Sequence, residues 1–149
     1  LFVIELKSKV KIVPFLAAQL KSLDTGKIRL LIISFDKATV AACHEQMPEV
    51  RAHWLTSFKK DKKNGRYQPS AEAIAKVVNE SGAAGVGMKG NRQVIDEMFI
   101  KQLKEFGCNE FHVWTIDQLK DAAYFKDLGA FGITTNKPAL IGTIRSQGN

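Results

Sequence analysis

The first seven residues combine an acidic and a basic side chain in a pattern that suits phosphate chemistry. Leu1 to Lys7 is an apolar run rich in β-forming residues, so Glu5 and Lys7 project from the same face of a predicted strand. They then lie about 6 to 7 Å apart, at the strand end where parallel-strand folds place catalytic groups. There Glu5 can hold a divalent cation while Lys7 contacts a phosphoryl oxygen of the same ligand. The alternative is a surface ion pair with no catalytic role.

A second set of candidates lies in the strand predicted at residues 111–116. His112 and Trp114 share one face of it, with Trp114 nearer the carboxyl end, where its indole can form an apolar wall for a ligand. A buried tryptophan that only fills the core is the alternative. A lone histidine such as His112 is more often a hydrogen-bonded interior residue than a catalyst. Because His44 falls within a helix and His53 near the start of a strand, we predict structural roles for the histidines.

A basic loop between Phe58 and Tyr67 follows the third predicted strand, which places it on the side of the carboxyl strand ends. A cluster of cations there can attract an anionic substrate, although such runs are often no more than solvated loops. Nucleic-acid binding is disfavoured because few aromatic residues interleave and no binding motif accompanies the loop. The loop has five basic residues: Lys59, Lys60, Lys62, Lys63 and Arg66.

The composition is that of one globular domain or a large piece of one. The chain has 149 residues, 45% of them hydrophobic, and a net charge of +7, which suits an anionic partner without selecting one. The sequence has no run of about 18 apolar residues, the length that a helix needs to cross a bilayer. Cys43 and Cys108 have no partner at metal-ligand spacing and are predicted to be free thiols. Because the chain opens with Leu1 inside a strand-like run, we expect a truncated sequence.

Hydrophobic periodicity predicts about six alternating strand and helix units joined by short connections, with no hairpin between adjacent strands. Pro48 closes the second helix, and Gly82 and Gly107 end the third and fourth. Gly85 to Met88 is a weak, glycine-rich strand. The predicted strands are residues 1–7, 29–35, 51–57, 85–88, 111–116 and 131–134, and the predicted helices are 10–23, ending at a turn over 24–26, then 36–47 capped by Asp36, 70–80, 94–106, 118–128 and 139–145.

Strict alternation of strands and helices predicts an α/β fold with a parallel sheet and right-handed crossovers. Two architectures fit: a doubly wound open sheet, and a (β/α)₈ TIM barrel, which needs about 250 residues and two further units. No G-x-G-x-x-G motif follows the first strand, so a dinucleotide site is disfavoured.

Together these segments resemble the glycerophosphodiester phosphodiesterase family over nearly the whole chain. Val3 to Lys7 is similar to the family's third barrel strand, whose Glu is a metal ligand and whose Lys lies in the active site. Ile33 to Asp36 resembles the fourth strand and its exit. His112 to Asp117 resembles the seventh, whose Trp lines the glycerol pocket, and Ala130 to Pro138 resembles the closing strand. The resemblance implies an incomplete (β/α)₈ barrel with Glu5 as metal ligand, Lys7 as catalytic and substrate-binding residue, and Phe35 and Trp114 as substrate-binding residues.

The implied activity is hydrolysis of glycerophosphodiesters to glycerol phosphate and an alcohol, a reaction of lipid metabolism that uses Ca²⁺ or Mg²⁺ and two histidines. The family's H-R-G motif, two further acidic ligands and a second His-Asp motif belong to strands one and two, which we expect to be missing. Residues 1–149 are therefore expected to form the later part of a barrel domain, inactive alone because Glu5 is one ligand of the roughly six that such cations need.

The implied partner is a small phosphodiester substrate rather than nucleic acid. Unpaired sheet edges predict an oligomer or a complex with the missing N-terminal segment. The alternative function is a catalytically inactive barrel fragment that acts as a scaffold or anion-binding module through its basic loop. The compartment stays open, with a periplasmic or secreted location favoured over a cytoplasmic one.

Overall fold

A six-stranded parallel sheet forms the frame of the molecule. The structure is a computed structural model that describes residues 1–23 and 28–144. The strands of the sheet are β1 (Phe2–Glu5), β2 (Leu30–Ser34), β3 (Arg51–Thr56), β6 (Gly85–Lys89), β7 (Phe111–Trp114) and β8 (Gly132–Ile133). Every neighbouring pair in this sheet is parallel, as the alternating pattern predicts.

The sheet winds in one direction and curls. Its strands follow one another in chain order from β1 to β8, whereas a doubly wound sheet reverses its order at a switch point. Glu5 on β1, Trp114 on β7 and Thr134 after β8 line one cavity, so the two ends of the sheet face each other across an interior. Within the described ranges, β1 and β8 each pair on one side only. We call this incomplete (β/α)₈ arrangement the half-barrel, and it confirms the predicted fold class.

Helices cover the outer face of the half-barrel. After a 3₁₀ turn at Val10–Ile12 come α1 (Val13–Ser22), α2 (Lys37–Gln46), α3 (Ala71–Ser81), α4 (Glu97–Glu105), α5 (Leu119–Asp127) and α6 (Pro138–Gly142). None of the helices in the described part is long and apolar enough to cross a membrane. Side chains that alternate along the strands pack on these helices, among them Leu6, Ile32, Ala52, Val86 and Val113. The intervening positions, Glu5 among them, therefore face the interior.

Local side-chain chemistry sets several helix ends. Ser70 Oγ accepts a hydrogen bond from the Ala73 amide, and Asp96 Oδ1 accepts one from the Phe99 amide, so α3 and α4 begin immediately after these caps. The fourth helix therefore starts at Glu97 rather than at the predicted 94. Asp36 precedes α2 as predicted, but its carboxylate accepts from the Thr39 hydroxyl instead of a backbone amide.

The basic loop differs from its prediction because it folds back as a hairpin. Two short strands, β4 (Lys59–Lys60) and β5 (Tyr67–Gln68), pair antiparallel. The turn between them is held by two side-chain caps: Asp61 Oδ1 accepts from the Lys63 amide, and Asn64 Oδ1 accepts from the Arg66 amide. Gly65 adopts a φ of 70° that other residues avoid. The six predicted strands are joined by no hairpin, as predicted, but the hairpin within the predicted polar loop was missed because its turn-forming residues lie within the run of positive charge.

The two cysteines are free thiols, as predicted. Cys43 and Cys108 are both buried, neither forms a disulfide, and burial raises the pKa of each thiol to about 11. The turn predicted at 24–26 and the predicted helix end at 145 lie outside the described residues.

Candidate active site at the carboxyl ends of the strands

A cavity of about 210 Å³ opens where the strands of the half-barrel end. Five strands or their exits contribute to it, so it is the mouth expected of a parallel-strand barrel. We call it the mouth cavity. A larger groove of about 550 Å³ lies outside, between α4 and α5, but no strand end reaches it. The residues that line the mouth cavity are Glu5, Ile33, Phe35, Leu55, His112, Trp114, Thr115 and Thr134.

Glu5 and Lys7 lie together at the exit of β1. Lys7 Nζ is 3.9 Å from Glu5 Oε2, and the two side chains are 82% and 38% exposed. Leu6 between them is buried among the outer helices, which confirms that Glu5 and Lys7 share the opposite face. Exposed ion pairs of this kind contribute little to stability. Both charges are therefore accessible to a ligand, although the pair taken alone also fits the simpler alternative.

Phe35 and Trp114 form the apolar wall of the mouth cavity. Their rings meet edge to face, with centroids 5.5 Å apart. The backbone of Phe35 is fixed because its carbonyl accepts a hydrogen bond of 3.0 Å from Trp54 Nε1. Trp114 Nε1 is buried and has no hydrogen-bond partner within the described residues. A buried indole N–H is a costly group to leave unpaired, so Trp114, which lines the mouth cavity, carries an unused hydrogen-bond donor.

Asp117 ties the exit of β7 to the exit of β8. Its carboxylate accepts hydrogen bonds from the amide and side chain of Asn136 and from the Thr135 hydroxyl. These bonds, the Asn136 amide foremost, hold the pKa of Asp117 below its usual range. The carboxylate therefore braces the loop on which the mouth residue Thr134 lies.

A polar network that sequence reasoning did not assemble fills the interior toward the amino ends of the strands. His53 Nδ1 and His112 Nδ1 are 2.8 Å apart, and His53 Nε2 is 2.7 Å from Glu110 Oε1. The other oxygen of Glu110 pairs with Arg51. We call Arg51, His53, Glu110 and His112 the interior network. The interior roles predicted for His53 and His112 are consistent with it, and His44 is exposed on α2.

Glu110 is a member of this network that the sequence analysis did not identify. It lies one residue before β7, and the period of two along a strand places it on the face of His112 and Trp114. That alternation could have identified it. Burial lowers the pKa of both histidines, that of His112 to about 3, and in His53 it outweighs the opposing effect of Glu110. Both rings are therefore neutral at pH 7.

The metal predicted at Glu5 needs more ligands than these residues offer. Among residues 1–23 and 28–144, no group of three or more His, Cys, Asp or Glu side chains is arranged to hold a metal ion. Hard cations take about six oxygen ligands. Glu5 alone therefore does not make a cation site, and the metal prediction stays untested.

The hairpin β4–β5 lies on the carboxyl side of the sheet. Tyr67 on β5 donates a hydrogen bond of 2.9 Å from its hydroxyl to Gln93, in the segment that follows β6. Lys60 packs over the Tyr67 ring at 5.7 Å. The basic residues are thus on the predicted side of the molecule, but none of them lines the mouth cavity.

Comparisons with known proteins agree with this geometry. The model of the glycerophosphoryl diester phosphodiesterase family matches residues 3–140. A phosphodiesterase from Oleispira antarctica, solved in complex with the product sn-glycerol-3-phosphate, has a TM-score of 0.75 and 18% identity over 95% of this chain and 53% of that one. A glycerophosphodiester phosphodiesterase from Thermotoga maritima has a TM-score of 0.66 and 17% identity over 96% and 57%.

A third structure, of a glycerophosphodiester phosphodiesterase from Parabacteroides distasonis, has a TM-score of 0.64 and 19% identity over 99% of this chain and 58% of that one. At such identities these likenesses establish the fold, and this chain spans only about half the length of the solved structures. No curated protein matches the sequence. The match of the family model over residues 3–140 nevertheless confirms the resemblance seen in the sequence: the chain belongs to the glycerophosphoryl diester phosphodiesterase family.

Proposed function

We propose that the protein containing these residues hydrolyses glycerophosphodiesters to glycerol phosphate and an alcohol, and that the mouth cavity is its substrate site. The observation that carries this proposal is the meeting of Glu5, Phe35 and Trp114 in one cavity at the strand exits of a chain that belongs to this family. The product named for the Oleispira antarctica structure supports sn-glycerol 3-phosphate as the product here.

Phe35 and Trp114, which line the mouth cavity, and Lys7, which lies next to Glu5 outside that lining, have proposed roles that follow from their positions. Lys7, exposed beside Glu5, contacts a phosphoryl oxygen and neutralises part of its charge. Phe35 and Trp114 hold the glycerol carbons against their rings and keep water from that side. The unpaired Trp114 Nε1–H donates to an oxygen of the substrate. These contacts bind and orient the substrate.

A divalent cation, Ca²⁺ or Mg²⁺, would polarise the phosphoryl group when bound. We propose that Glu5 contributes one oxygen to it and that the other ligands come from beyond these 149 residues. The described residues do not fit a cation by themselves, so the chain alone is expected to be inactive. The exposed β1 edge, with Phe2 65% exposed, is expected to be covered by further chain or by a second copy.

The test is an assay of the natural reading frame, including whatever precedes the Leu1 codon. Release of sn-glycerol 3-phosphate from glycerophosphocholine is followed with Ca²⁺ or Mg²⁺ and after EDTA. We expect turnover that EDTA abolishes, a loss of roughly 100-fold or more in Glu5→Gln, and a raised KM in Trp114→Ala. Glu45→Gln, on an exposed turn of α2, is the matched control and should leave turnover unchanged.

Two outcomes would count against the proposal. Unchanged kinetics in Glu5→Gln would remove its assigned role. A natural chain that begins at Leu1 and shows no turnover would favour the inactive scaffold or anion-binding module, for which the five cations of the hairpin are the supporting feature. Turnover by the 149 residues alone would overturn the expectation that they are inactive.

A further inference from the structure

The glycine-rich strand β6 creates the space in which the interior network forms. β6 lies between β3 and β7, and its Gly85 and Gly87 are in register with His53 and His112. A Cβ atom added to Gly87 would overlap the His112 ring and the Leu55 side chain. Because Gly85 and Gly87 leave the interior face of β6 without side chains at these positions, imidazoles from its two neighbouring strands meet above it. The weak strand in the sequence is therefore the feature that lets His53 contact His112.

The partners of each ring fix which nitrogen carries the proton. The Glu110 carboxylate, paired with Arg51, can only accept hydrogen bonds, so His53 Nε2 carries a hydrogen and donates to it. A neutral His53 then has a bare Nδ1, which accepts from His112. His112 must carry its hydrogen on Nδ1. Its Nε2 is left as an acceptor.

The acceptor Nε2 belongs to a residue that lines the mouth cavity. His112 is 4% exposed and contributes to the cavity wall together with Glu5 and Trp114. Within residues 1–23 and 28–144, no hydrogen bond reaches His112 Nε2, while the Trp114 Nε1–H donor is also without a partner. Two residues that line one cavity thus carry an unpaired acceptor and an unpaired donor, which together complement a hydroxyl group, since a hydroxyl both donates and accepts.

We propose that His112 Nε2 accepts a hydrogen bond from a glycerol hydroxyl of the ligand, and that Glu110, acting through His53, is a positioning residue that sets His112 as an acceptor. The proposal rests on the proposed function for the identity of the ligand. Because burial lowers the pKa of His112 to about 3, the ring orients the hydroxyl and is too weak a base to remove its proton at pH 7.

The first test needs no variant. Long-range ¹H–¹⁵N correlation spectra of the natural protein labelled with ¹⁵N-histidine, recorded at pH 7, distinguish the two neutral tautomers of each ring. We expect His53 as the Nε2–H form and His112 as the Nδ1–H form. A spectrum with His112 as the Nε2–H form overturns the proposal.

The second test reverses the direction of the hydrogen bonds in the interior network. In Glu110→Gln the single amide oxygen faces Arg51 and the NH₂ group donates to His53 Nε2, so both rings exchange tautomers and His112 Nε2 becomes a donor. Glu105→Gln, on the exposed face of α4, is the matched control and should leave both tautomers as they are. Unchanged tautomers in Glu110→Gln contradict the positioning role.

The third test measures how the His112 ring affects the affinity for ligands with and without hydroxyl groups. Binding of sn-glycerol 3-phosphate is compared with binding of propyl phosphate, which has the same carbon chain without hydroxyls. We expect wild type to prefer the hydroxylated ligand by several-fold up to about tenfold. His112→Phe, which has no hydrogen-bonding group on its ring, should lose that preference while binding propyl phosphate within about twofold of wild type.

The outcomes separate the two proposals. If both ligands bind at the mouth without any preference, or if His112→Phe keeps the preference, the role of His112 is wrong and the proposed function stands. If neither phosphate shifts the Trp114 indole signal, the mouth is not the ligand site and both proposals fail.

Discussion

The two ends of the half-barrel interior use polar side chains in opposite ways. Toward the amino ends of the strands, His53 is fully buried and both of its ring nitrogens have partners, while Glu110 bonds His53 and Arg51 at once. At the mouth, Glu5 is 38% exposed, its nearest cation is 3.9 Å away, and the Trp114 donor has no partner in the described part of the chain.

This difference separates stability from function. A buried polar group with all its hydrogen bonds made supports one packed arrangement, because any loss leaves a partner unpaired. A polar group with unused hydrogen-bonding capacity beside a cavity adds little to folding but remains available to a ligand. His112 belongs to both ends, since its Nδ1 bonds His53 and the residue also lines the mouth cavity. We therefore expect variants at the interior network to lower the free energy of unfolding and variants at the mouth to leave it nearly unchanged.

The largest loss in the free energy of unfolding is expected from substitution of His53. His53→Ala removes a fully buried ring and leaves Glu110 and His112 without their partner, so we predict a loss of about 3 to 5 kcal/mol in the free energy of unfolding. Urea denaturation measures it. His44→Ala, the same change at an exposed position of α2, should cost less than about 0.5 kcal/mol. A loss below 1 kcal/mol in His53→Ala would mean that the network does not stabilise the fold.

Low pH should lower the free energy of unfolding through the same two histidines, without any substitution. The pKa of each histidine is lowered by burial in the folded state, to about 3 in His112, whereas an unfolded histidine binds its proton near pH 6.5. The unfolded state therefore binds more protons below pH 6.5, and stability is complete above that pH and falls as pH drops toward 3. For His112 the slope reaches about 1.4 kcal/mol per pH unit, or about 2 kcal/mol between pH 7 and 5, and His53 adds to the loss in the same direction.

Urea unfolding at pH 7, 6 and 5 measures this slope. His112→Phe should remove one histidine's share of it. A free energy of unfolding that does not change between pH 7 and 5 would show that the rings are protonated equally in both states.

A smaller effect is expected from filling the space above β6. Gly87→Ala places a methyl group against the His112 ring and Leu55, which must both shift, so we predict a loss of about 1 to 3 kcal/mol. Gly142→Ala at the end of α6 is the matched control, because a Cβ there meets no atom within 4 Å. Equal thermal stability of the two variants would contradict the close packing over β6.

The smallest change in stability is expected at the mouth. Glu5→Gln and Lys7→Ala disrupt an exposed ion pair, so we predict that each changes the free energy of unfolding by less than about 0.5 kcal/mol. The same urea measurements used for His53→Ala provide the comparison. A loss of 2 kcal/mol or more at either position would show that the mouth, too, is held together by its polar contacts.

Local periodicity accounts for what the sequence could predict. The apolar runs and the period of two along the strands are properties of adjacent residues, so the six strands and the common face of Glu5 and Lys7 could be predicted without any long-range information. The choice of a barrel over a doubly wound sheet came from the family resemblance, since both architectures share the same alternating units.

The interior network depends on long-range contact and could not be predicted in this way. His53 and His112 are 59 residues apart and meet only because β6 lies between their strands with glycines on its interior face. In the sequence those glycines indicate only a weak strand. The hairpin was missed for a different reason, because its turn residues Asp61, Asn64 and Gly65 are interspersed with lysines that suggest a solvated loop.

The measurement that tests the central claim most directly is a titration of the ¹⁵N-labelled protein with sn-glycerol 3-phosphate. Two indole signals report on the mouth: Trp114 Nε1–H, which has no partner in the described residues, and Trp54 Nε1–H, which bonds the Phe35 carbonyl. We predict a saturable shift of the Trp114 signal, with a smaller one for Trp54 and none for the hairpin amides of residues 59–68. Shifts confined to the hairpin, with Trp114 unmoved, would contradict the assignment of the mouth cavity as the ligand site.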